Sequence, residues 1–314
     1  MSGFSSDLIS GIFRVTAPGN IVWCAPNGND NIDAGRGLIT RPFLTLQAAL
    51  DALKSGRAPV ANKNEFEDSA TIFLAGGIYS GINNEDIFIN TKSSIKIIMM
   101  NATINSPLNW KLNLSERFNS VITPVLEIID FSQRMLNHCG VGNGVDSIKI
   151  SSNNDPLGCR IRGTSTRFNG KIQSDNNYQG SNPVMNIDAD SCTFLKDSIT
   201  NKSIDCQTAI MNIRESIFTG TIKCRNFSQG CYDCNFYDNI ECNTVSLSIT
   251  PTLSGSIINC GFIEDNKKSI ILNSDGILVL DRNSNFNLKN AGWSVKPDTV
   301  TVNLAEDNIP IVPI

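Results

Sequence analysis

The chain has 314 residues, a net charge of −4 and only 18 % charged residues, below the usual quarter. Its 26 Lys and Arg form no basic stripe or arginine cluster, which disfavours binding to a nucleic-acid backbone. A hydrophobic content of 40 % is enough for a core, yet no stretch approaches the roughly 20 apolar residues that span a bilayer.

Residues 1–20 read as an N-terminal arm. They lack a basic start and an unbroken apolar run, so no secretory signal is expected. Residues 7–13 have room for one or two helical turns, which Pro18-Gly19 ends, and an amphipathic anchor for a partner is one reading of them. Residues 21–69 form an opening unit of strand, loop and capping helix. The strand is residues 21–24, and the loop is the Gly/Asn/Asp-rich stretch 26–35. Leu46, Ala49, Leu50 and Leu53 then fall at i, i+3, i+4 and i+7, which puts them on one face of a short helix that Gly56 stops. Such a face needs an apolar surface to cover, and the open end of a stack of strands would supply one.

From residue 70 onward strand signals dominate. Residues 70–75, 87–89 and 94–101 read as strands, and residues 76–81 as a turn and bend. No convincing helix follows any of them. Phe168, Phe194, Phe218, Phe236, Phe262 and Phe286 recur at intervals of 26, 24, 18, 26 and 24 residues. Two positions before each stands a small residue: Thr166, Cys192, Ser216, Cys234, Cys260 and Ser284. Residues two apart on a strand face the same way, so the pair marks a constant interior slot. An isoleucine usually follows four or five residues later, at Ile172, Ile199, Ile222 and Ile240. A constant slot with variable loops is what a coil of stacked strands produces, because one rung cannot bury its apolar face alone. The expected fold is all-β: a single-stranded right-handed parallel β-helix over residues 70–292, with a short N-terminal capping helix. About nine rungs at a strand spacing of ~4.8 Å would make a prism on the order of 40 Å long. Residues 293–314 depart from the repeat and read as a C-terminal cap or interaction tail.

The ten cysteines are expected to be reduced thiols packed as small hydrophobes, which implies folding in a reducing cytoplasm. The four Asn-x-Ser/Thr sequons, at Asn101, Asn113, Asn201 and Asn226, carry no weight outside a secretory context.

Residues 22–30 (Val-Trp-Cys-Ala-Pro-Asn-Gly-Asn-Asp) and 41–50 (Arg-Pro-Phe-Leu-Thr-Leu-Gln-Ala-Ala-Leu) resemble the opening module of the pectin-lyase-like right-handed β-helix superfamily. Residues 72–80 also look like that family's first rung, with departures at Ala75 and Gly76. The resemblance implies the fold. It leaves the activity open, because the superfamily includes lyases, hydrolases, adhesins and phage or virus spikes.

Polysaccharide hydrolysis needs paired carboxylates on adjacent rungs. Asp188 and Asp190 point outward if their strand is regular, and Asp233 and Asp238 flank a rung; all four read better as solvated turn or surface carboxylates. Arg160 and Arg162 share one side of a strand, and Arg225 is isolated, but no acidic cluster that would complete a lyase site accompanies them. His138 is the single histidine and lacks an elbow or oxyanion motif. Cys224, Cys231, Cys234 and Cys242 have a spacing that suits a thiolate zinc site. However, Cys234 falls in the small slot of the repeat, which favours core packing. The 27–33 loop lacks the terminal Glu of a calcium loop. No catalytic, cofactor-binding or metal-binding residues are assigned, and no cofactor is expected.

The expected function is a non-enzymatic component of a virus particle, as a fibre, spike or capsid-associated protein. Its expected partners are two further copies of itself in a homotrimer, other virion or capsid proteins, and a host-surface glycan. No nucleic acid and no membrane span are expected. The alternatives are a polysaccharide lyase or hydrolase acting as a depolymerase, and a glycan-binding adhesin.

Overall fold

The structure is a computed structural model. It describes residues 20–31, 36–54, 70–81, 87–90, 94–112, 125–131, 140–152, 159–174, 184–238, 240–245, 255–258, 261–262, 270–272, 276–280, 293–295 and 300–304.

The strands form three walls of one coil. Each turn of the chain lays a strand on wall 1, turns a tight corner onto wall 2, then runs along wall 3 before returning. Wall 1 begins with Asn20–Cys24 and continues through Ala70–Leu74, Ile95–Met99, Val125–Asp130, Cys159–Thr164 and Val184–Asp190. Wall 2 is a sheet of eight short strands, from Gly77–Tyr79 to Gly261–Phe262. Wall 3 stacks Ile87–Asn90, Leu108–Leu112, Asp146–Ser152 and Lys171–Ser174, and extends to Trp293–Val295. Pairing between successive strands is parallel on all three walls. Parallel neighbours cannot be joined by a hairpin, so the chain must travel round to reach the next one. The ladders include Trp293–Val295 and Val300–Leu304, so the stack runs on into the C-terminal segment.

The recurring phenylalanines are in-register partners on wall 2: Phe168 with Phe194, Phe194 with Phe218, Phe218 with Phe236 and Phe236 with Phe262. The first four rings lie 4.9, 4.5 and 5.1 Å apart, with interplanar angles of 16°, 3° and 11°. These separations equal the strand repeat, so the offset stacking that aromatic rings favour comes with the backbone geometry. Toward the N-terminus the same column holds Val141, Ile104 and Tyr79. Phe286 lies outside the described residues. The 18-residue interval between Phe218 and Phe236 is a genuine short rung. Thr221–Tyr232 is one unbroken strand that passes from wall 3 into wall 1 with no loop between them.

The isoleucine that follows each phenylalanine forms a second interior column on wall 3: Ile148, Ile172, Ile204, Ile222 and Ile240. Ile199, expected in that column, is 71 % exposed instead. A turn at residues 198–200 is inserted in this rung, which moves the inward position five residues on to Ile204.

The corner between walls 1 and 2 explains the small slot. Asn101, Ser165, Ser191, Glu215 and Asp233 each take a left-handed conformation, with φ of 47–58°. The next residue is buried at each corner; after Asn101 it is Ala102, and after the other four its side chain donates to the carbonyl two residues back. Thr166 Oγ1 reaches Thr164 O at 2.9 Å, Cys192 Sγ reaches Asp190 O at 3.4 Å, Ser216 Oγ reaches Arg214 O at 2.6 Å and Cys234 Sγ reaches Tyr232 O at 3.2 Å. The slot therefore calls for a small residue, and where that residue is Thr, Ser or Cys the corner carbonyl satisfies its buried donor. Cys192→Ser is expected to change stability by less than about 1 kcal/mol. Cys192→Val adds bulk to a corner where Sγ already packs against Gly163, and should cost about 1–2 kcal/mol. Urea unfolding of the two variants checks this contrast.

At the N-terminal end, Leu46–Lys54 is an α-helix, α1. Leu46, Ala49, Leu50 and Leu53 are buried in the same core cluster as the coil interior. Thr45 caps α1, its Oγ1 accepting from Ala48 N at 3.2 Å. Asp30 ties the preceding loop to that cap: its carboxylate accepts from Leu44 N, Thr45 N and Thr45 Oγ1 at 2.8–3.0 Å. Gly28 is required here, since a Cβ at this position would lie 2.2 Å from Phe43 O.

Candidate functional site

The outward side chains of wall 1 carry the main concentration of charge that the sequence had raised. Arg160 and Arg162 do share a face, as their spacing implies. They have an acidic partner that the linear sequence conceals: Asp188, one rung later and 26 residues on, lies 3.4 Å from each Nε. Register places Lys96, Glu127, Arg162 and Asp188 in one column of alternating sign. Lys96 and Glu127 pair at 2.9 Å. The adjacent column holds Asp190, Arg214 and Tyr232 in register, with the Arg214 guanidinium 6.0 Å from the Tyr232 ring centroid. Wall 3 repeats the pattern, with Asp205, Lys223 and Glu241 in register and Lys223 paired to Glu241 at 2.9 Å. Exposed pairs of this kind stabilise weakly, by about 0–1 kcal/mol each. Opposite charges placed opposite one another still favour the correct rung pairing over a slipped one.

Asp233 occupies a left-handed corner, and Asp238 follows the short Phe236 strand. They sit on opposite sides of wall 2, so they do not converge. His138 and the side chain of Arg225 lie outside the described residues.

The four clustered cysteines fall on different parts of the coil, with Cys224 and Cys242 in register on wall 3. Cys234 sits at a wall 1–wall 2 corner, where its Sγ also approaches Ile213 O at 3.7 Å. Cys231 stands in the interior column of wall 1, in register with Ile213. Cys224 is on wall 3, between Cys206 and Cys242. Spacing that suits a tetrahedral site in the sequence is thus spread over separate parts of the coil. Among the described residues no group of three His, Cys, Asp or Glu side chains is placed to hold a metal ion. The seven described cysteines are free and buried. Burial pushes the Cys192 thiol up to about 12, and pushes Cys24 and Cys206 up as well. A thiol so far from ionisation is a poor nucleophile and ligand.

One functional-looking carboxylate escaped the sequence reading. Asp197 is fully buried in the inserted turn. It accepts from Ile199 N at 2.9 Å, Thr200 N at 2.6 Å, Thr200 Oγ1 at 2.5 Å and Lys202 N at 2.9 Å. Burial alone would raise its pKa. The hydrogen bonds outweigh that and hold it at about 2. Four donors on one carboxylate make a turn organiser rather than a proton-transfer group, which works best with a pKa near the operating pH. The Asp-x-x-Thr spacing, with Asn201 following at positive φ, was the available signal.

Among the described residues no helix is long and apolar enough to cross a membrane. No family model matches the chain, and no curated protein or solved structure matches it either.

Proposed function

We propose that the chain is a rigid, non-enzymatic component of a virus particle, a fibre, spike or capsid-associated protein of the pectin-lyase-like type. On this reading the coil winds right-handed, as parallel crossovers almost always do, and α1 closes its N-terminal end. The observation that carries the proposal is the outer wall. Arg160 and Arg162 are both committed to Asp188 across rungs, and so serve pairing. Buried, weakly acidic thiols suit folding in a reducing host cytoplasm before assembly into the virion. The coil self-associates as a homotrimer and presents its side walls to virion proteins or to a host-surface glycan.

The same Arg160–Asp188–Arg162 group motivates the alternative, a polysaccharide lyase or hydrolase. Two measurements separate the readings. Light scattering at micromolar concentration is expected to give a trimer mass, and a monomer there would sink the trimer. Incubation with acidic and neutral glycans is expected to release neither unsaturated uronate nor new reducing ends. Release that disappears in Arg162→Ala would replace the structural reading with the enzymatic one.

A further inference from the structure

The three walls differ in what they turn outward. Ion pairs tie the outer columns of walls 1 and 3: Lys96–Glu127 and Arg162–Asp188 on the first, Lys202–Asp205 and Lys223–Glu241 on the other. Wall 2 is built differently. Over three successive rungs its outward positions are Thr193, Ile217 and Asn235, in register. Leu195, Thr219 and Tyr237 make the next column, each donating its N–H to the phenylalanine column one rung earlier. None of these residues is charged. Ile217 is 36 % exposed and Tyr237 37 %. Arg167 borders the patch, and its Nε donates to Asn169 Oδ1 at 2.9 Å.

Charge returns at the two rims of the patch, with opposite sign. The corner toward wall 1 carries Glu215 and Asp233, exposed and on successive rungs. The corner toward wall 3 carries Lys196, exposed directly after Leu195, with the half-buried Asp238 two rungs on.

We propose that wall 2 is the interface of the homotrimer proposed above, on which reading it rests, with the copies packed around an axis parallel to the coil. Identical residues meet near a rotation axis, so a row placed there must carry no charge. The middle of wall 2 meets that condition, and the outer columns of walls 1 and 3 do not. Parallel coils bring the wall 1 rim of each copy against the wall 3 rim of its neighbour, so Glu215 and Asp233 meet Lys196. An antiparallel pair would set each rim against itself and oppose like charges. The rims therefore select the parallel arrangement, which closes a ring. Wall 2 is also narrow, with strands of two or three residues. Three coils then share one axis and leave walls 1 and 3 outward for virion proteins or a glycan.

Light scattering at micromolar concentration tests the assignment. Ile217→Arg puts a charge at the centre of the patch and is expected to give a monomer mass with the far-UV circular dichroism of the coil retained. Asn212→Arg, equally exposed on the outer face of wall 1, is expected to keep the trimer. Lys196→Glu is expected to weaken the trimer about tenfold, and Glu215→Lys added to it to recover most of that loss. A trimer that survives Ile217→Arg would overturn the assignment and leave the trimer standing on another wall. A wild-type chain that is itself a monomer would overturn the trimer and the assignment together. If Ile217→Arg does not fold, the rim pair decides, and a Lys196→Glu loss that Glu215→Lys leaves unrepaired would overturn the assignment.

Discussion

Replacing Phe194 by alanine is expected to destabilise the coil more than any other single truncation on wall 2. Phe194 is fully buried and is stacked on both sides, by Phe168 at 4.9 Å and Phe218 at 4.5 Å. Truncating a buried phenylalanine costs about 3–5 kcal/mol, from lost transfer free energy and the cavity left behind. Two ring contacts are lost in addition, and aromatic pairs contribute about 0.5–1.5 kcal/mol beyond area burial. The cavity cannot close readily, because backbone ladders hold the rungs above and below at a fixed spacing. Phe194→Leu keeps most of the volume and should cost about 1–2 kcal/mol. Urea unfolding of both variants measures the difference. A leucine variant as stable as wild type would show that the rings only fill space and that their stacking contributes nothing.

Asp197→Ala is expected to be the most damaging surface-turn substitution, at about 2–4 kcal/mol. It takes the acceptor from several donors of one turn, and a hydrogen bond to a charged group contributes about 1.5–3 kcal/mol. The amides of Ile199, Thr200 and Lys202 all depend on it. The pH dependence follows from the same geometry. The folded carboxyl titrates at about 2, below its ordinary value of 3.8. A group with a depressed folded pKa contributes stability that is fully present above its unfolded pKa. That contribution is lost as pH falls through the folded value. The turn should therefore weaken between about pH 4 and pH 2, by about 1–2 kcal/mol once solvent screening is allowed for. Chemical denaturation at pH 6, 4 and 2.5 tests this. Asp197→Asn keeps one acceptor oxygen and should flatten the acid limb while losing less stability than alanine. An acid limb identical in wild type and Asp197→Asn would assign the loss to other carboxylates.

The parallel coil was legible in the sequence because its repeat is carried by local alternation. Small–x–Phe puts two side chains on one face of a strand, and six recurrences imply one slot used again and again. Stacking in register makes every rung solve the same packing problem, so similar residues return at the same place. The helical face of Leu46, Ala49, Leu50 and Leu53 was legible for the same reason, being set by local period alone. What local pattern cannot carry is the partner one rung away. Asp188 lies 26 residues from Arg162 and looked unrelated to it, yet the register seats them side by side. The inserted turn at Asp197 displaced the inward position from Ile199 to Ile204, because four hydrogen bonds to one carboxylate outweighed the spacing of the repeat. The hydrogen bonding of the small slot was equally hidden. Size was visible in Thr166, Cys192, Ser216 and Cys234, but the carbonyl that each donates to is in place only once the corner is folded. The sequence by itself determined a strand-built coil with phenylalanine at its centre, since alternation and recurrence are local properties. Only the tertiary structure decided which charges meet, which turn interrupts the repeat and where the small residue beside each ring finds its acceptor, since those depend on the folded coil.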